Sequence, residues 1–280
     1  MDQASLESLL ADLHLPAIRS FATIDSTNDE AWRWIDTGAL SSALVVADEQ
    51  IAGRGRLHRR WITLAGSSLA FSLIYLSPPL EPRSLSLLNG LGALATCQAL
   101  NKLYSLHALI KWPNDILLDQ RKTGGVLVEA RWNGMDLKAA VIGIGINIAP
   151  ESINPDVLTA ETLSFPVTCV ENAVGNKVDR LELLHSILEH FFGWFPRLSS
   201  QDFLRAWEET LAYRSQWVEL TYENSAQSSS LIATPPSKMI GQVIGLAANG
   251  SLRLRTNSGK LVTAQVGEIH LRPTPNPPPG

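Results

Sequence analysis

KWPNDILLDQRKTGGVLVE, residues 111–129, sets two short apolar runs, Ile116–Leu118 and Val126–Val128, on either side of a polar turn over Asp119–Gly125. Asn114-Asp115 follows Pro113, whose fixed φ favours a sharp bend. The stretch reads as strand, turn, strand, spaced so that Lys111, Asn114, Asp115 and Lys122 face one cleft. Gly124 and Gly125 carry no side chain and let a ligand lie against the backbone. A lysine beside such glycines suits an anionic ligand. Taken alone, the same stretch also describes a surface hairpin with a solvated lysine.

Outward from this hairpin, 280 residues exceed one ordinary domain, so a main domain plus a small one is expected. Hydrophobic content of 45% supports a sizeable core. The net charge of −4 argues against a general nucleic-acid binder. Two cysteines, Cys97 and Cys169, are too few for a disulfide framework and fit a reducing compartment. No apolar run reaches the roughly 18 residues of a membrane span. The acidic N-terminus lacks a basic signal-peptide region, and the expectation is a cytoplasmic protein.

Upstream, Ser26-x-x-Asp29 and Thr27-x-x-Glu30 match a capping box, which predicts a helix ending near Gly38. Capping alone explains these residues, although amides and hydroxyls at a helix start also bind polar ligands. Gly53-Arg-Gly-Arg-Leu-His-Arg-Arg-Trp61 then packs four arginines and two glycines into nine residues. Amides beside glycine form anion-binding concavities and arginine forks match phosphate or carboxylate. A solvated basic loop or an RNA patch is the alternative. Such a loop is expected to be mobile before a ligand orders it.

Ser67–Leu76 alternates as a strand, and Leu85–Leu103 carries helical apolar spacing that makes Cys97 inert packing. Asn133-Gly134 predicts a hairpin between strands Val126–Trp132 and Leu137–Ile148. The second strand carries Gly143-Ile-Gly-Ile-Asn147, whose glycines admit a flat ligand. Residues 149–175 read as a long loop, followed by helices Val178–Phe195 and Gln201–Ala212. His185 and His190 lie five apart, on different helix faces, which disfavours a metal site. From Gln216 onward four short strands, interrupted by a polar insertion at Glu223–Lys238, predict a small antiparallel barrel. The tail PTPNPPPG is expected to be disordered.

No G-x-x-x-x-G-K-[ST] motif is present. Ser26-Thr27-Asn28, Gln50 with Gly53–Trp61, KWPND with Lys122 and Gly125, and Gly143–Asn147 occur in the order and approximate spacing of biotin protein ligases, which the chain resembles over residues 20–272. The resemblance implies an α+β fold: a mixed β-sheet catalytic domain, residues 1–215, with helices on one side. It also implies an SH3-like C-terminal barrel, residues 216–272, before the tail 273–280. The implied activity is ATP-dependent biotinylation of one lysine on a biotin carboxyl carrier protein, through biotinyl-5′-AMP, with Mg²⁺ brought by ATP.

By the same resemblance, Ser26, Thr27, Asn28 and Gln50 hold the ureido ring, and Gly53, Arg54, Gly55 and Arg56 close over biotin and the adenylate. Lys122 reaches the biotin carboxylate and α-phosphate, Gly125 lies against the bicyclic ring, and Trp61, Asn147, Lys111 and Asn114 serve the adenylate end. Both reacting groups are anionic, and two unit charges 4 Å apart repel by about 1 kcal/mol in water and several-fold more in a site of lower dielectric. Lys122 and Arg54 offset that repulsion, and Asp115 is the candidate to orient the acceptor amine and take its proton.

His58 stands where the family usually has glycine, which bears on loop closure. The family's N-terminal DNA-binding domain has no counterpart, so the expectation is a ligase that does not bind DNA, monomeric or homodimeric, with no membrane partner. A lipoate ligase, a non-catalytic biotin or nucleotide sensor and an RNA-binding module are the competing readings.

Overall fold

The computed structural model describes residues 1–56, 59–61, 63–76, 85–153, 165–222, 238–264 and 269–274. His58, most of the polar insertion and the tail from residue 275 lie outside the described residues. In chain order the elements are α1 (Gln3–Leu9), β1 (Ile18–Ile24), α2 (Thr27–Asp36), β2 (Leu44–Gln50), β3 (Ser68–Leu76) and α3 (Leu85–Tyr104). Strands β4 (Leu109–Lys111), β5 (Asp115–Leu118), β6 (Arg121–Asn133) and β7 (Asp136–Asn147) follow. Helices α4 (Val170–Val174), α5 (Arg180–Trp194) and α6 (Gln201–Glu209) precede β8 (Trp217–Tyr222), β9 (Lys238–Leu246), β10 (Leu252–Arg255), β11 (Leu261–Ala264) and β12 (Ile269–Pro273).

The first sheet has seven strands in the order β1-β2-β3-β7-β6-β5-β4. It is mixed, since β1 and β2 are parallel and every other pair is antiparallel. Its central strand β7 shows why the molecule has one filled face and one open one. Side chains alternate across a sheet, so Ala140, Ile142, Ile144 and Ile146 point one way, into the core shared with α3 and α5. Val141, Gly143, Gly145 and Asn147 point the other way. Val141 packs with Ala31 of α2 in a separate small cluster, and Gly143 lies against Asn28 of the same helix. The glycines leave the rest of that face bare. Helices α3, α5 and α6 thus lie on one side, as expected, and α2 covers one end of the other.

Three expectations change. The polar turn predicted over Asp119–Gly125 contracts to Asp119-Gln120, both with positive φ (48° and 59°), and β6 begins at Arg121. Strand β1, which was not expected, is a sheet-edge strand with no buried position, so it lacks the apolar alternation that would announce it. Residues 149–175, read as a loop, contain a turn of 3-10 helix at Pro150–Ile153 and the short helix α4.

The second sheet holds five antiparallel strands in the order β11-β10-β9-β8-β12. Its fifth strand, β12, runs through Pro273, and Thr274 still bonds Trp217, so pairing continues past the expected end at 272. The sheet docks on the main core through Trp207 of α6, fully buried and closely flanked by Gly90 of α3 and Gly250 of the β9–β10 turn. Trp112 Nε1 donates to the Gly250 carbonyl at 3.0 Å and Glu208 accepts from the Leu246 amide at 2.5 Å.

Candidate active site

A single extra residue decides what faces the open side of the sheet. Along β5 and β6 the pairs are Asp115↔Gly125, Ile116↔Gly124 and then Leu117↔Lys122, so Thr123 is a bulge. Lys122 and Gly125 are three apart and in an unbroken strand would point to opposite faces. The bulge brings Lys122 to the face of Gly125, where a Cβ on Gly125 would lie 3.6 Å from Lys122 Cε. Lys122 Nζ then meets Asp115 Oδ1 at 2.5 Å, and Lys111 Nζ approaches Asp115 Oδ2 at 3.4 Å.

These groups form the charged end of one cavity. Burial pushes the Asp115 carboxyl up, but Lys122 and Lys111 outweigh it and hold the group below its ordinary value. Burial lowers the Lys111 ammonium, with Asp115 opposing. Arg56 belongs to this end too, donating to Asn114 Oδ1 at 3.0 Å, and burial lowers its guanidinium. Asn114 is fixed by Nδ2 donating to the Val126 carbonyl at 2.7 Å.

The opposite end is polar, and the arginine that reaches it, Arg54, is paired with Asp29 and Glu129. Ser26 caps α2 by accepting from the Asp29 amide, at 3.5 Å. Gln50 Oε1 accepts from the Thr27 amide at 2.8 Å, and Gln50 Nε2 donates to Thr63 at 3.2 Å. Between the two ends the floor is Gly143, Gly145 and Gly125. A Cβ on Gly143 would fall 2.2 Å from Asn28 Oδ1, and one on Gly145 would fall 2.6 Å from the Trp61 indole. Both glycines are therefore required by their neighbours.

Ser26, Thr27, Asn28, Gln50, Arg54, Gly55, Arg56 and Trp61 line this cavity, and so do Lys111, Asn114, Asp115, Lys122, Gly125 and Asn147. Gly53 does not. It sits behind the wall, where its carbonyl accepts from the Trp61 amide at 2.8 Å and a Cβ would strike the Trp61 carbonyl at 2.3 Å. Arg54 also differs from expectation: its guanidinium is engaged by Asp29 at 2.7 Å and Glu129 at 2.9 Å, and the arginine placed beside Asn114 is Arg56. Sequence reasoning missed Arg272 from the second sheet and Phe165, whose ring lies 4.2 Å from Lys111 Nζ, in the lining, and Glu129, which pairs with Arg54 and Asn28 behind it. Arg272 had no readable signal, because only the docking of the second sheet brings it to the cavity.

Residues 20–147 match the model of the biotin/lipoate A/B protein ligase family. A biotin–[acetyl-CoA-carboxylase] ligase of Paracoccus denitrificans is 32% identical over 243 residues, covering 86% of this chain and 95% of that protein. The chain belongs to the biotin protein ligase family. A bifunctional ligase/repressor of Bacillus subtilis is 29% identical over 248 residues, 87% of this chain and 71% of its own length. Among solved structures, a biotin protein ligase from Aquifex aeolicus in complex with biotin and ATP superposes with TM-score 0.74 at 26% identity, covering 92% of this chain and 100% of that chain. The open glycine face and the lysine-bearing bulge therefore lie within a known ligase fold.

Proposed function

We infer that this chain joins biotin to one lysine of a biotin carboxyl carrier protein, first forming biotinyl-5′-AMP from biotin and ATP with release of pyrophosphate. The observation that carries the reading is one cavity with a cationic end, Lys122, Lys111 and Arg56, and a neutral hydrogen-bonding end, Thr27 and Gln50, across a glycine floor. A biotin molecule has that polarity: a carboxylate at one end and a ureido ring at the other. The curated relatives and the Aquifex aeolicus complex support it.

In the first step the biotin carboxylate attacks the α-phosphorus of ATP. Lys122 is held in place by Asp115, and an incoming carboxylate competes with Asp115 for the same ammonium. Lys122 and Arg56 then offset the repulsion between the two anions and stabilise charge at the phosphorus. Arg54, neutralised by Asp29 and Glu129, instead pins the arginine loop. Trp61, Asn147 and Arg272 border the adenylate end. Asp115 is engaged by two lysines, and Mg²⁺ would enter with the triphosphate oxygens of ATP. Such an ion would supply charge neutralisation for the departing pyrophosphate.

In the second step the acceptor lysine attacks the acyl-adenylate. Its amine has a reference pKa of about 10.4 and arrives mostly as the ammonium. Asp115, ionised in the neutral range, attracts and orients that ammonium and takes one proton from it; the freed amine attacks the acyl carbon, and the acyl C–O bond to phosphate breaks to release AMP. The same reading divides the chain into a catalytic unit, residues 1–215, and a C-terminal unit from residue 216, and places it in the cytoplasm without a DNA partner. It leaves monomer and homodimer equally open to a sizing measurement. Biotin-dependent ATP–pyrophosphate exchange tests it: exchange with biotin and not with lipoate is expected, and lipoate-dependent exchange overturns it.

A further inference from the structure

A chain of hydrogen bonds, buried at its inner links, runs behind the neutral end of the cavity. Glu129 Oε2 accepts from Asn28 Nδ2 at 2.8 Å, and also from Arg54 Nη2 at 2.9 Å and Trp32 Nε1 at 3.4 Å. Asn28 Oδ1 accepts from Ser72 Oγ at 2.6 Å. Ser72 Oγ lies 2.8 Å from Thr27 Oγ1, which lies 3.1 Å from Gln50 Oε1. Ser72 is fully buried, and Thr27 and Asn28 are each 4% exposed. Solvent has little room to complete the bonds among these three, and the Glu129 side chain is 26% exposed.

The donors and acceptors constrain the protons link by link. An ionised carboxylate only accepts, whereas an amide has one donating end and one accepting end. Glu129 therefore turns the Asn28 amide so that its NH₂ faces β6 and its oxygen faces Ser72. A serine hydroxyl has one proton, and here the shorter contact takes it to Asn28. The proton of Thr27 then goes either to Ser72 Oγ or to Gln50 Oε1, both inside the wall. In either case the Thr27 oxygen meets the cavity as an acceptor.

We propose that Glu129 is a positioning residue that acts through Asn28 and Ser72 to fix the Thr27 hydroxyl as a hydrogen-bond acceptor for a ureido N–H. This rests on the biotin reading above. Glu129→Gln keeps the shape of the side chain but adds a donor, which lets the Asn28 amide turn over and the proton order reverse. Ser72→Ala cuts the same chain one link nearer the ligand.

Steady-state ATP–pyrophosphate exchange on the full chain tests the relay. Glu129→Gln is expected to raise the KM for biotin about tenfold, the loss of one matched buried hydrogen bond. kcat and the KM for ATP are expected to stay within about twofold. Ser72→Ala should act similarly, and the double variant should be no worse than the worse single one, because both cut one path. A normal biotin KM in Glu129→Gln, or effects that multiply in the double variant, overturns the proposal. If Glu129→Gln does not fold, Ser72→Ala decides, and a normal biotin KM there overturns it as well. A wild-type protein without biotin-dependent exchange sinks the biotin reading itself.

Discussion

At the scale of single residues, the account rests on Asp115 between two lysines. Asp115→Asn is expected to leave biotinyl-5′-AMP formation intact while slowing transfer to the acceptor by about 10²-fold, the usual yield of a positioned proton acceptor. Single-turnover measurement of the two half-reactions checks this, and unimpaired transfer removes Asp115 from the chemistry. Because Asp115 is held below its ordinary value, the acid limb of the transfer rate near neutrality should report the acceptor amine alone. A second carboxylate, Asp25, is exposed and steadies the start of α2: hydrogen bonds from Arg33 lower it to about 2. A depressed carboxyl stabilises the fold above its unfolded value of about 3.9 and ceases to as pH falls through its folded value. The stability advantage over Asp25→Asn, under about 1 kcal/mol for so exposed a pair, should be present at pH 7 and vanish as pH falls from about 4 to 2 in melting curves.

At the scale of elements, the Thr123 bulge is the feature with most consequence. Deleting Thr123 leaves Lys122 two residues from Gly125, where plain alternation still sets both on the open face, so a folded deletion variant should keep biotin-dependent exchange. Loss of exchange in a variant whose circular dichroism keeps its mixed signature would contradict this placement of Lys122. The hairpin, the arginine loop and the Gly-x-Gly strand were legible because each concentrates glycine and charge in a short stretch. The bulge was not, since Lys122-Thr123-Gly124-Gly125 reads equally well as a longer turn. Glu129 was hidden for a related reason: at the end of an apolar run it reads as the solvent side of a strand. Its partners Asn28 and Arg54 lie 101 and 75 residues away in sequence.

At the scale of the whole molecule, the two sheets share one hydrophobic core, with Val218, Leu220, Val243 and Leu254 of the second joined to that of the first. Unfolding should therefore be a single calorimetric transition, and two resolved transitions would show that the sheets melt apart. Trp207→Ala should cost roughly 3–5 kcal/mol, because its indole fills the space left by Gly90 and Gly250. Sequence patterning announced the small C-terminal sheet, strand by strand through Ala264. That its last strand carries Arg272 to the cavity depends on docking, which no local pattern records.

The central claim is that cationic side chains from the β5–β6 hairpin and the arginine loop hold biotin and ATP close enough to form a mixed anhydride. Native mass spectrometry of the purified protein with biotin, ATP and Mg²⁺ tests it most directly. The account predicts a retained mass equal to biotinyl-5′-AMP on the wild type and none on Lys122→Ala. An equal adduct on both proteins, or none on the wild type, would contradict it.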